Sequence, residues 1–208
     1  MRAVISDFGG VLTSPLMSFF ARFQDDSGIP LEALGKAMVR IAQEQGAHPL
    51  FELEKGKLSE ARFVELLEGA LSAELGRPVR LHGLAESYWS DMDTNDAMVD
   101  YLRGLRDDGI RLALLTNNVR EWEPRWRAMV PVDELFEVVV DSAYVGMRKP
   151  DPEIYELTLD RLALDAPQCV FVDDIEVNCQ AAERIGMRAV WFRDTDQAIA
   201  EIDAALGR

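Results

Sequence analysis

Residues 4–13 read VISDFGGVLT. An apolar run delivers a single acid, Asp7, and two glycines follow before the chain turns apolar again. Val4–Ser6 lacks polar alternation, as expected of a strand covered on both faces. An aspartate ending such a strand is costly to desolvate unless it is paired or bound to a metal. Alone it reads equally well as a turn cap. Gly9 and Gly10 favour the first reading, because backbone without side chains lets a ligand and a cation come close.

Working outward, Arg111–Leu115, Val138–Val140, Val170–Val172 and Ala189–Phe192 repeat the short apolar pattern. Helical stretches alternate with them at Asp96–Asp108, Val119–Met129, Pro152–Ala163, Glu176–Ile185 and Asp194–Leu206. Strands alternating with helices predict an α/β fold, a doubly wound parallel sheet. In such sheets, functional groups gather beyond the carboxyl ends of the strands. Residues 15–93 break the alternation: Pro30–Gln45 and Ser59–Leu75 are amphipathic and no strand is evident between them. The expected organisation is a core of residues 1–14 and 94–208 carrying an all-helical cap of residues 15–93.

Three further stretches place chemistry at strand ends. Thr116–Asn117–Asn118 closes LALL, offering a hydroxyl, two amides and backbone N–H groups suited to phosphate oxygens. Lys149, in GMRKPDPEIY (146–155), sits before Pro150 and Pro152 in a stiff lead-in to a helix, so its ammonium is held as a point charge. Asp173 and Asp174, in VFVDDIEVN (170–178), form an adjacent acid pair at a strand end. Converging with Asp7, they would make an oxygen-rich site suited to Mg²⁺.

Composition bounds the alternatives. With 48% hydrophobic residues among 208, the chain has material for a real core and needs no staple. The net charge of −15 argues against binding nucleic acid or anionic lipid, which rests on neutralising phosphates with Lys and Arg. No stretch approaches the ~18 apolar residues of a membrane span, and MRAVISDF is too short for a signal peptide. Cys169 and Cys179 lack metal-type spacing and are expected to be reduced and structural, which fits a cytoplasmic setting.

In this order the four stretches resemble the haloacid dehalogenase-like (HAD) superfamily of hydrolases, over essentially the whole chain. DFGGVLT is similar to its first motif, LLTNN to the second, VGMRKPDPEIY to the third and VFVDDIEVNCQAAERIGM to the fourth. The inserted helices resemble the C1-type cap of subfamily I. The closest likeness is to the branch of sugar-phosphate phosphatases and the N-terminal phosphatase domain of soluble epoxide hydrolase. The resemblance implies Asp7 as a nucleophile forming an aspartyl-phosphate. It implies Thr116, Asn117, Asn118, Gly10 and Lys149 around the phosphate. It also implies Asp173 binding the metal through water or orienting Lys149, and Mg²⁺ held by Asp7, Asp174 and the backbone carbonyl of Gly9. The implied substrate is a small phosphorylated metabolite such as a sugar phosphate.

Gly9 departs from the pattern, since phosphatases of the superfamily usually carry a second aspartate there that protonates the leaving alkoxide. Three readings follow. One is a phosphatase that uses a good leaving group, or an acid from the cap around Phe51–Glu52–Leu53–Glu54. Another is a catalytically weak regulatory protein. The last is a 2-haloacid dehalogenase in which Asp7 attacks carbon. Of the remaining residues, Trp122 and Trp126 are expected to pack against the core, and His48 and His82 to be surface groups. Residues 54–57 are expected to form a solvated turn.

Overall fold

The computed structural model describes residues 1–15, 23–25, 27–81, 84–90 and 92–208. Its centre is a five-stranded, all-parallel sheet of β1 (Ala3–Ser6), β2 (Arg111–Thr116), β3 (Val138–Asp141), β4 (Cys169–Asp173) and β5 (Arg188–Trp191), in the order β3-β2-β1-β4-β5. Successive side chains of a strand point to opposite faces, and here both faces are covered. Val4, Leu112, Leu114, Val170 and Val172 pack into one apolar cluster; Ile5, Ala113, Leu115 and Phe171 belong to the other. This two-sided burial is why the strands read as unbroken apolar runs.

The cap helices are α1 (Leu31–Gln45), α2 (Pro49–Glu54), α3 (Glu60–Leu75) and α4 (Leu84–Ser90). The Ser59 hydroxyl accepts from the Arg62 N–H at the start of α3, satisfying one of the donors a helix leaves open there. The cap has its own apolar centre, in which Ala37 and Ile41 of α1 meet Phe63, Leu67 and Leu71 of α3. Chain exit and return run side by side. Thr13 bridges Thr94, the Ser14 N–H donates to the Asp93 carbonyl at 2.9 Å, and the Asn95 N–H donates to the Leu12 carbonyl at 2.8 Å.

The core continues through α5 (Asp96–Asp107), α6 (Glu123–Met129), α7 (Val132–Leu135), α8 (Ser142–Val145), α9 (Pro152–Leu162), α10 (Glu176–Arg184) and α11 (Thr195–Leu206). One expected helix arrives in two pieces: a 3₁₀ turn over Arg120–Trp122 and then α6. Pro124 lies in the first turn of α6, where its missing N–H costs nothing, but it cannot continue a preceding helix. Among the described residues no helix is long and apolar enough to cross a membrane.

Candidate active site

Parallel register brings the polar strand ends together. Ser6 lies beside Leu114 of β2 and Val172 of β4, so Asp7, Thr116 and Asp173 emerge at one edge of the sheet. The Asp7 N–H prolongs the ladder, donating to the Val172 carbonyl at 2.9 Å. Lys149 reaches this edge from the loop after α8. Its backbone is held on both sides by one amide: the Asn117 Oδ1 accepts from the Lys149 N–H at 2.8 Å, and the Asn117 Nδ2 donates to the Lys149 carbonyl at 2.9 Å. The ammonium is 1% exposed and stands 2.7 Å from both Asp7 Oδ1 and Asp173 Oδ2.

Both oxygens of Asp173 are taken up inside the protein. Oδ1 accepts from the Ile175 N–H at 2.8 Å and from Asn178 Nδ2 at 3.0 Å; Oδ2 accepts from Lys149 Nζ at 2.7 Å. Asp173 thereby contacts the Lys149 ammonium directly, and Asn178 and the Ile175 N–H hold its other oxygen. Asn178, in turn, is the supporting residue that the strand-end pattern did not single out.

Carboxylate oxygens of Asp7, Asp173 and Asp174 lie within 4.8 Å of one another. One ammonium serves three carboxyl groups, and the electrostatics show the shortfall. Burial pushes the Asp7 carboxyl up to about 8, with Lys149 pulling it down and Asp173 and Asp174 adding to the rise. Burial, then Asp173, lifts Asp174 to about 6. Burial disfavours the Lys149 charge, but Asp173 and Asp7 outweigh it and hold the ammonium above its ordinary value. The donor set, all carboxylate oxygen with an unmet demand for positive charge, fits a hard divalent cation. With Asp173 engaged elsewhere, Asp7 and Asp174 are the carboxylates left to hold it.

The two glycines differ. Gly10 adopts φ +75°, and a Cβ built on it would run into the Asp174 carboxylate. A Cβ on Gly9 would meet no atom within 4 Å. Gly10 is therefore required by the site, whereas Gly9 leaves open the space where a side-chain acid would stand.

Several expectations are revised here. The Asn117 amide clamps Lys149 through both its oxygen and its nitrogen, so it organises the loop instead of offering a free amide to phosphate, while the Asn118 Oδ1 accepts from the Val119 N–H at 2.9 Å. Trp126 packs as expected, fully buried with its ring 5.5 Å from Phe8. Trp122 packs against the core cluster too, and in addition it stacks on Tyr88 at 4.9 Å and lines the cleft between cap and core. Residues 55–56 form a turn and Lys57 is exposed, as expected, but Glu54 is not solvated: its carboxylate pairs with Arg148 Nε at 2.6 Å and its carbonyl accepts from the Ser142 hydroxyl at 2.6 Å. His48 is half-buried and stacks on Phe51 at 4.3 Å. His82 lies outside the described residues. Cys169 and Cys179 are free and buried, with burial raising their thiols to about 11 and about 12.

A cavity of about 180 Å³ separates cap from core. Gly9, Thr116 and Asn117 form part of its wall, so it opens onto the acidic centre, and Glu54 and Tyr88 line it as well.

The sequence matches the haloacid dehalogenase-like hydrolase family over residues 1–186. It is 30% identical to acyl-CoA dehydrogenase family member 10 of Mus musculus over 99% of this chain and 19% of that one. It is 26% identical to bifunctional epoxide hydrolase 2 of Sus scrofa over 100% of this chain and 39% of that one. The chain thus spans less than half the length of these two relatives. Sesquiterpene phosphatase astK of Aspergillus oryzae is 26% identical over 99% of this chain and 97% of its own. A predicted HAD-like family hydrolase from Porphyromonas gingivalis shares the fold, with TM-score 0.71 and 22% identity over 100% of this chain and 98% of that one.

Proposed function

Because the chain belongs to the haloacid dehalogenase-like hydrolases, we propose that it hydrolyses phosphate monoesters of a small metabolite through an aspartyl-phosphate on Asp7. The observation that carries this reading is the Lys149 ammonium set 2.7 Å from both Asp7 and Asp173, beside Asp174 and the end of β2. A phosphatase relative of matching length supports it.

An Asp7 oxygen attacks phosphorus while the bond from phosphorus to the alcohol oxygen breaks. The alcohol leaves with a proton, and water then attacks the same phosphorus to regenerate the carboxylate and release inorganic phosphate. Lys149 neutralises charge on the nucleophile and the phosphoryl oxygens while Asp173 holds it in place. Thr116, 1% exposed at the end of β2, and backbone near Asn117 would bind the transferring group. Asp7, Asp174 and the backbone carbonyl of Gly9 would hold Mg²⁺, which supplies positive charge that lets a dianionic phosphate approach a carboxylate. Two buried carboxyl groups and a third, half-buried one around one lysine argue against attack on carbon in a haloacid, which has no use for such a cluster.

Gly9 has no proton to give. Glu54 is the acid we assign to protonate the leaving alcohol, since it lines the same cavity as Gly9 and burial raises its carboxyl, with Arg148 pulling the other way. Glu52, the other cap candidate, is not among the residues lining the cavity and pairs with Lys55 at 2.7 Å.

Phosphate release from acetyl phosphate and aryl phosphates, with Mg²⁺ and with EDTA, tests the reading. Metal-dependent release lost in Asp7→Asn is the expected result. Mg²⁺ binding without release from any of these would replace the enzyme with a regulatory protein.

A further inference from the structure

Beyond the phosphate station, the cavity wall is apolar. Met38 of α1 and Phe63, Val64 and Leu67 of α3 face it from the cap; Val119 and Trp122 close it from the core. Met38, Val64 and Trp122 are only partly buried, so their apolar surface remains open for a ligand to cover. Among the described residues the charged groups on the wall are Glu54 and Glu60, and no lysine or arginine lines it.

Each of these facts excludes a class. A substrate bearing a second phosphate or a carboxylate would bring its extra charge to a wall where Arg148 is already paired with Glu54 and where, among the described residues, no other cation meets it. A sugar would surrender the hydration of several hydroxyls to a wall that is mostly hydrocarbon and offers few hydrogen-bonding groups in return. An apolar group loses nothing on entry and gains from leaving water. The volume, about 180 Å³, exceeds the roughly 150 Å³ of an apolar cavity that accepts a benzene ring.

We propose that the substrates are phosphate monoesters of apolar alcohols, alkyl or aryl, with roughly six to ten carbons inside the cavity. The hydrocarbon lies between α1, α3 and Trp122, and the phosphate points at Asp7. This assignment rests on the phosphatase reading for its chemistry, and it replaces the sugar phosphate expected from sequence.

The test uses n-alkylphosphonates from methyl to decyl, which carry the phosphate-like head but cannot be hydrolysed. Their affinity is measured by calorimetry with the whole chain in Mg²⁺. Affinity should climb roughly two- to fourfold per methylene until the cavity is full, the equivalent of at most about 0.8 kcal/mol each. Val64→Glu and Met38→Glu, which add charge to the wall, should flatten the climb. Should either variant fail to fold, the series on the unmodified protein decides alone. Affinity that does not change with chain length overturns the proposal, as does binding of a sugar phosphate as tight as that of octylphosphonate. The two readings fail separately. No release from acetyl phosphate alongside a rising series removes the hydrolase and keeps the apolar site; release alongside a flat series does the reverse.

Discussion

Gly10 and Asp174 are in such close contact that a single added methyl group on Gly10 would occupy the position of the Asp174 carboxylate. Left-handed backbone at Gly10, with φ +75°, adds strain to any replacement. Gly10→Ala should therefore displace Asp174 and weaken Mg²⁺ binding by about tenfold to a hundredfold, the range seen when ligand positioning is disturbed. Gly9→Ala is the contrast, with open space around its Cβ, and should leave the unfolding temperature unchanged. Calorimetric Mg²⁺ titration and thermal unfolding of both variants check the pair.

Lys149 is the one cation in contact with Asp7 and Asp173 among the described residues. Lys149→Met leaves buried carboxylates uncompensated, and breaking such a pair costs about 3–5 kcal/mol. The variant should lose turnover and unfold at lower denaturant, with Mg²⁺ restoring part of the loss. Asp7→Asn should also lose turnover but, in EDTA, should be at least as stable as the parent, because it removes a charge that burial opposes. Urea unfolding in EDTA and in Mg²⁺ distinguishes the two; equal destabilisation in both variants would contradict this account.

Leaving-group protonation should show as a dependence of rate on leaving-group pKa. If Glu54 supplies the proton as proposed, Glu54→Gln should slow alkyl phosphates about 10²-fold or more while barely affecting aryl phosphates, whose alcohols leave unaided. Gly9→Asp fits the open space at that position and should restore alkyl turnover in the Glu54→Gln background. Identical effects of Glu54→Gln on alkyl and aryl esters would remove Glu54 from the chemistry.

Asp141 caps α8, its Oδ1 accepting from the Ala143 N–H at 2.9 Å while the buried Oδ2 has no partner. Burial raises its carboxyl from 3.8 to about 6, the Ala143 N–H opposing. The folded protein therefore binds more protons than the unfolded chain between these values, and this group's contribution to stability falls as pH rises through that window. Measured against Asp141→Asn at each pH, the parent should lose on the order of 2–3 kcal/mol between pH 4 and pH 7. A difference that stays constant with pH would show that the group is not perturbed.

Much of this was legible along the chain. Buried parallel strands read as apolar runs, and their carboxyl ends carry Asp7, Thr116 and Asp173–Asp174 in plain view. Local rules reach such features because strand burial and the position of a strand end depend on near neighbours in sequence. The 3₁₀ break before Pro124 was equally local, though it went unread because the apolar pattern of Val119–Met129 continues through it.

Contacts between distant segments were not legible. Asn117 looks like a phosphate donor until the fold places Lys149 against its amide, 32 residues away. Glu54 looks solvated until Arg148, 94 residues on, meets its carboxylate. Trp122 and Trp126 share a spacing of four and both pack against the core, but Trp122 also meets the cap, where it stacks on Tyr88. The sequence by itself determined the sheet, the order of the strand-end residues and the glycine at position 9. Only the tertiary structure decided that Asp173 is engaged by Lys149 and Asn178, that Asp7 and Asp174 stand beside it, and that the cavity nearby is walled mostly by hydrocarbon. The reason is physical: a side chain's partners, and the surface it leaves open, are set by which elements pack together, and helix or strand periodicity carries no record of that.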